Sequence, residues 1–232
     1  MSATPAAFDA RGLDPVASQH PARQSAYTVS WTHTATSPDG HARLLQTTTR
    51  YQRADGAYKL VHTYHAPERV AGRVEVYFGF DGLGVFRLDA ERKQLVFTAP
   101  LLEDAPEDVR EALREDPRFE REEDVRGQSA FVLRTTAPGG AGYTEEYRAP
   151  ALGGLLVKRV EESARGRQAM EPTELALGEP DASLFAELGQ YPADYAAYER
   201  SIAQMERGEG REAAQLMREL MRRMQTKKSS SR

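Results

Sequence analysis

The side chains that could carry chemistry in this chain are five histidines, a run of carboxylates, a glycine cluster and a Met/Arg-rich tail. A zinc site needs about four ligands converging on one point. The histidines are His20, His33, His41, His62 and His65. His62 and His65 have opposite parity in an extended strand, so their rings face opposite sides. His33 and His41 flank a hairpin turn and sit rungs apart even in its tightest register. These are ordinary strand histidines, and no metal is implied. The carboxylates between 103 and 124 follow no Asp-x-Asp-x-Asp-Gly order, so a calcium loop is not expected. They read as a solvated helix face, with Glu107/Arg110 and Glu111/Arg114 compensating locally. The glycines at 138–142 open no helix, so they lack the dipole that holds phosphate. Glu145 and Glu146 are adjacent and point opposite ways, and nothing suggests a paired-carboxylate site. There is no Gly-x-Ser-x-Gly elbow, no His-Glu-x-x-His and no Walker sequence. No catalytic residue and no cofactor is assigned, and the expectation is a protein that is not an enzyme.

Composition narrows the classes further. There is no cysteine, hence no disulfide, thiolate ligand or cysteine nucleophile. A net charge of −4 argues against a general nucleic-acid binder. No run approaches the roughly 18 apolar residues of a membrane span. Charge is uneven: from Glu199 to Arg232 basic residues outnumber acidic ones, while 103–124 is strongly acidic. The first 26 residues are rich in Ala, Pro, Ser and Gln with no apolar centre, and do not read as a signal peptide. The protein is then either cytoplasmic or periplasmic with its signal removed.

The positioning elements are legible from alternation cut by turns. Ser37-Pro38-Asp39-Gly40, Asp55-Gly56, Asp81-Gly82, the glycines at 138–142 and Gly153-Gly154 punctuate runs of alternating apolar and polar residues. About eleven strands follow, at 27–36, 41–52, 58–65, 74–80, 85–88, 94–98, 119–125, 130–136, 143–148, 155–163 and 168–177. Short connections make sequence neighbours sheet neighbours, and a sheet of this width must curl or split. The expected fold is mainly β (α+β): a curved antiparallel sheet or unclosed β-barrel with an inserted helix at 101–116 and C-terminal helices as lid. The expected organisation is a flexible arm at 1–26, the half-open barrel at 27–180, C-terminal helices at 181–226 and a disordered tail at 227–232. Asp181 is placed to cap a short helix through Leu188, and Pro192 to start a longer one carrying Tyr195, Tyr198, Ile202 and Met205.

One apolar constellation remains. Trp31, Tyr51, Leu60, Tyr64, Phe78, Phe80, Phe86, Phe97, Phe131, Leu133 and Val157 are candidates to line the inside of the curved sheet. They fit a filled core, and equally a cavity for a lipid or acyl chain. The segments 101–116 and 183–205 are candidate lids. Met217, Met221, Arg222 and Met224 offer a Met/Arg face that either packs on the barrel or docks a membrane surface or a partner protein through residues 211–226.

The layout of 27–200 resembles the lipoprotein-carrier superfamily (LolA/LolB-like). The long hairpin TTTRYQRADGAYKLVHTY, the pair VEVYFGFDGLGVFRLD and QLVF, the helical insertion, then GQSAFVLRT, YTEEYRAPALGGLLVKRVEE and ALGEPDASLF carry the likeness. It implies a half-open barrel lidded by helices that binds acyl chains of lipoproteins or other envelope lipids outside the cytoplasm. The basic tail at 208–232 is not part of that layout. The reading is non-enzymatic binding or transport of a hydrophobic ligand in the cell envelope. The alternative is a scaffold that docks a partner through its basic C-terminal helix.

Overall fold

The computed structural model describes residues 25–80, 84–99, 108–196, 198–200, 203 and 218. The strands in chain order are β1 (Tyr27–Thr36), β2 (Ala42–Gln52), β3 (Tyr58–Tyr64), β4 (Val74–Phe80), β5 (Gly84–Asp89), β6 (Gln94–Ala99), β7 (Phe119–Val125), β8 (Gln128–Thr136), β9 (Gly142–Ala149), β10 (Leu155–Ser163), β11 (Gly166–Leu177) and β12 (Ala193–Asp194). One α-helix, α1 (Val109–Glu115), precedes β7. The twelve strands form one sheet in the order β12-β6-β5-β4-β3-β2-β1-β11-β10-β9-β8-β7. Two meanders, β1–β6 and β7–β11, are thus joined where β1 pairs with β11. β7 and β12 stay as edges, so the sheet is curved and does not close.

Local chemistry sets these elements. At the first turn the Gly40 amide donates to the Ser37 carbonyl at 2.9 Å. Gly40 has φ +88°, a value that side chains disfavour. Register shifts at Ser30/Trp31, His33/Thr34, Val85/Phe86, Phe119/Arg121 and Leu156/Lys158 break the ladders. Such bulges bend a sheet and increase its twist. Gly79 lies opposite Tyr58 across β3–β4. A Cβ there would fall 2.1 Å from the Tyr58 ring, so the tyrosine folds flat only over glycine.

The apolar side chains divide into separate groups. One cluster contains Phe78, Phe86, Leu95 and Phe97 from β4–β6, with Phe185, Leu188 and Tyr198 from beyond β11. A second joins Val29 and Trp31 of β1 to Val132, Tyr147, Val157 and Val160 of β8–β10. There the Trp31 indole Nε1 donates to the Val157 carbonyl at 2.7 Å. A third contact lies under α1. Asp108 caps that helix by accepting from the Glu111 amide at 2.9 Å. Arg110 and Arg114 lie over the Phe131 ring at 5.1 and 5.6 Å. Both arginines also reach Glu122 of β7, so Arg114 finds its carboxylate across the fold and not on its own helix.

The segment after β11 departs from its expected form in two respects. The short helix capped by Asp181 is a 3-10 helix, Ala182–Gly189, whose cap carboxylate accepts from the Ser183 amide at 2.8 Å. Pro192 does not start a helix. Its carbonyl accepts from the Leu95 amide at 2.9 Å, and β12 then runs parallel to β6. Helical residues begin only at Ala196, whose amide donates to the Asp194 carboxylate at 2.8 Å. The sheet edge offers unpaired backbone groups, and this outcompetes proline's preference for a first helical turn.

Candidate functional site

The first cluster is built by cross-strand register. Lys59 faces Phe78, Phe78 faces Phe86, and Phe86 faces Phe97. Opposed residues share a face, so β3–β6 present one row with a cation at one end and three aromatic rings beyond it. Val76, Leu88 and Leu95 flank the row. Within β3–β6, Lys59 is the sole charged residue of that face: Glu75, Arg87 and Asp89 have the opposite parity.

A segment outside those strands covers the row. Phe185 packs on Phe78 with centroids 6.4 Å apart. Tyr195 meets Phe97 at 5.0 Å and Phe86 at 5.8 Å, and Tyr198 meets Phe97 edge-on at 4.7 Å. Phe78, Phe86 and Phe97 are at most 2% exposed as a result. Desolvation pushes the Tyr195 and Tyr198 hydroxyls up from their ordinary values, which keeps both neutral. Lys59 ties the cover down. Its ammonium donates to the Leu184 carbonyl at 2.7 Å and to Glu187 Oε1 at 3.0 Å, and it stands 5.2 Å from the Phe78 ring centre. Two polar atoms here are buried without a hydrogen-bond partner, Glu187 Oε2 and the Tyr198 hydroxyl.

The eleven candidate lining residues do not form one surface. Phe78, Phe86 and Phe97 come together, with Tyr51 packed against them. Trp31 and Val157 belong to the second cluster. Phe131 lies under α1, stacked at 5.1 Å on Phe119, and Leu133 is buried on the same face of β8. Leu60 and Tyr64 lie on the face opposite the aromatic row, since Leu60 pairs with Tyr77 while Lys59 pairs with Phe78. The side chain of Phe80 lies outside the described residues. So do Met217, Met221, Arg222 and Met224, and the lid segment 101–107. Sequence reasoning passed over Lys59, while Phe185, Glu187 and Leu188 fall in the candidate lid 183–205 without being singled out. The signal for Lys59 was present: it is a cation between Tyr58 and Leu60 in an otherwise apolar strand start.

The face opposite the aromatic row carries Trp31 and Leu60 beside a polar network. The Thr48 hydroxyl lies 3.2 Å from His33 Nε2 and 3.0 Å from His62 Nδ1, so it bridges two imidazoles. Desolvation lowers the pKa of both rings. Glu75 accepts from the Tyr64 and Tyr77 hydroxyls at 3.0 and 2.9 Å. Among the described residues, no group of three His, Cys, Asp or Glu is placed to hold a metal. A cleft of about 600 Å³ opens between the tips of the β1–β2 and β10–β11 hairpins, lined in part by Thr36, His41, Arg43, Glu161, Arg165 and Arg167. None of the apolar candidates reaches it.

No protein-family profile and no curated protein matches the sequence. Solved structures do. The chain is similar to a LolA superfamily protein. That protein, from Nitrosomonas europaea, is 11% identical with a TM-score of 0.32, over 79% of this chain and 98% of the other. A chain of the Pseudomonas aeruginosa MucA/MucB complex is 18% identical with a TM-score of 0.40 over 76% of this chain, which spans 61% of the length of that one. The Mycobacterium tuberculosis lipoprotein LppX is 13% identical with a TM-score of 0.30, over 74% and 93%. These likenesses describe the course of the backbone only.

Proposed function

We propose that this chain binds a long hydrophobic ligand, an acyl chain, without transforming it, on the aromatic row of β3–β6. The segment 182–200 is the lid that the ligand displaces. The observation that carries this reading is the origin of the side chains filling the row: Phe185, Leu188, Tyr195 and Tyr198 come from one segment that follows the last strand of the meander. Lifting that segment exposes a ready apolar track and leaves the ladders of β1–β11 intact.

Magnitudes place the exchange near balance. Four large side chains at about 2 kcal/mol each hold the lid by roughly 8 kcal/mol of apolar burial. An acyl chain recovers about 0.8 kcal/mol per methylene, so roughly ten methylenes replace what the lid gives up. Chains shorter than about ten carbons lose to the lid and longer ones win, each added methylene tightening binding by about fourfold. The sequence layout that resembles lipoprotein carriers supports an envelope setting for this activity. No helix among the described residues is long and apolar enough to cross a membrane. The hairpin-tip cleft does not serve the same purpose, because arginines line it.

Native mass spectrometry and competition of a fluorescent fatty acid against saturated chains of increasing length test the proposal. Saturable one-to-one uptake with a threshold in chain length supports it. Protein that takes up no acyl probe of any length overturns it.

A further inference from the structure

We infer that the ligand of this face carries a carboxylate, and that Lys59 receives it in exchange for Glu187. The inference rests on the acyl-binding reading above and adds the head group. Three observations converge on it. Lys59, Phe78, Phe86 and Phe97 form a single cross-strand row. Three strand spacings make that row about 14 Å long, a track for an extended chain with its head at β3. Lys59 is the one charged side chain on this face of β3–β6, and it is only 8% exposed. A cation is costly in an apolar wall unless it is paired there. Among the described residues the pairing comes wholly from the lid, through the Leu184 carbonyl and Glu187 Oε1.

The closed state leaves that pairing incomplete. Glu187 spends one oxygen on Lys59, and the other is buried without a partner. When the lid lifts, Glu187 returns to water and satisfies both oxygens. Lys59 cannot follow, because its strand is fixed between β2 and β4. A neutral ligand would then cover an unpaired ammonium beside the Phe78 ring. A fatty carboxylate supplies the same anionic oxygen to the same nitrogen, and its chain covers the rings that Phe185, Tyr195 and Tyr198 uncover. Charge on the face is conserved across the exchange. The hydroxyl of Tyr198, also without a partner when closed, is released to solvent in the same movement.

The test compares palmitate with methyl palmitate at neutral pH on the full chain, the wild type beside Lys59→Met and Glu187→Gln. The wild type prefers the acid over the ester by about tenfold or more, the worth of one charge-assisted hydrogen bond. Lys59→Met loses that preference and still binds the ester. Glu187→Gln removes the competing carboxylate from the closed state, so its affinities for palmitate and for the ester rise together and their ratio stays that of the wild type. Equal binding of acid and ester by the wild type overturns the inference and leaves the acyl-binding reading in place. So does a preference that survives in Lys59→Met. Uptake of neither compound overturns both. If Lys59→Met does not fold, Glu187→Gln decides alone: a palmitate affinity that fails to rise refutes the exchange.

Discussion

Replacing Phe185 by alanine separates a lid from a structural core. Phe185 is 5% exposed, packs on Phe78 at 6.4 Å and lies beneath the Arg53 guanidinium at 5.5 Å. Truncating a buried phenylalanine costs about 3–5 kcal/mol where the surroundings cannot collapse. Phe185 comes from a short 3-10 segment and not from the sheet, so collapse is easier here and about 3 kcal/mol applies. If the segment 182–200 opens as a unit, the whole cost falls on opening and none on the sheet. The populations then shift by about 100-fold or slightly more. Native-state hydrogen exchange reads this directly. The amides of Gln190, Tyr191 and Glu199, which donate to Glu187, Glu187 and Tyr195 carbonyls, should exchange about 100-fold faster. The amides of β1 paired with β11 should keep their rates. Acyl-probe affinity should rise with lid opening. An equal acceleration in β1 and in the lid would refute the reasoning, because 182–200 would then belong to the cooperative core.

Other consequences concern the sheet that carries the site. Trp31→Phe leaves the Val157 carbonyl without its 2.7 Å donor inside the second cluster, and should destabilise the fold by about 2 kcal/mol in urea titration; a loss below about 0.5 kcal/mol would mean water replaces the indole. Gly79→Ala drives a methyl into the Tyr58 ring, and overpacking of this kind costs about 1–3 kcal/mol, read as a lower thermal midpoint. Glu145 is almost buried. Desolvation raises its pKa, but hydrogen bonds from Arg121 and Tyr147 and the charges of Arg121 and Arg134 outweigh this and hold it below the ordinary 4.5. Its contribution is therefore complete above the unfolded value and is lost as pH falls through the lower folded value. Glu145→Gln should flatten the stability profile below pH 4.5, and an unchanged acid limb would contradict the pairing.

Alternation and turn chemistry made the strands readable. Val74–Phe80 and Phe119–Val125 stand where their periodicity puts them. Ala193–Asp194 could not be read, since two residues carry no period and a parallel pairing to β6 depends on an edge about 100 residues away. The lining was harder than the strands. Period two fixes which residues of one strand share a face, but not how the faces of neighbouring strands match across a turn. Leu60 and Phe78 look equivalent in sequence, yet the register that sets Lys59 against Phe78 turns Leu60 away. Tyr195 and Tyr198 were visible as a stripe at helical spacing. What they cover was not, because it follows from contacts with β5 and β6 that no local pattern encodes.

The account depends on one surface opening to ligand. Phenylalanine-selective carbon-13 labelling reports all eight phenylalanine rings at once. On titration with palmitate, the rings of Phe78, Phe86 and Phe97 should shift together with Phe185, while Phe119 and Phe131 beneath α1 stay in place. Shifts confined to Phe119 and Phe131, or no shift at saturating palmitate, would contradict it.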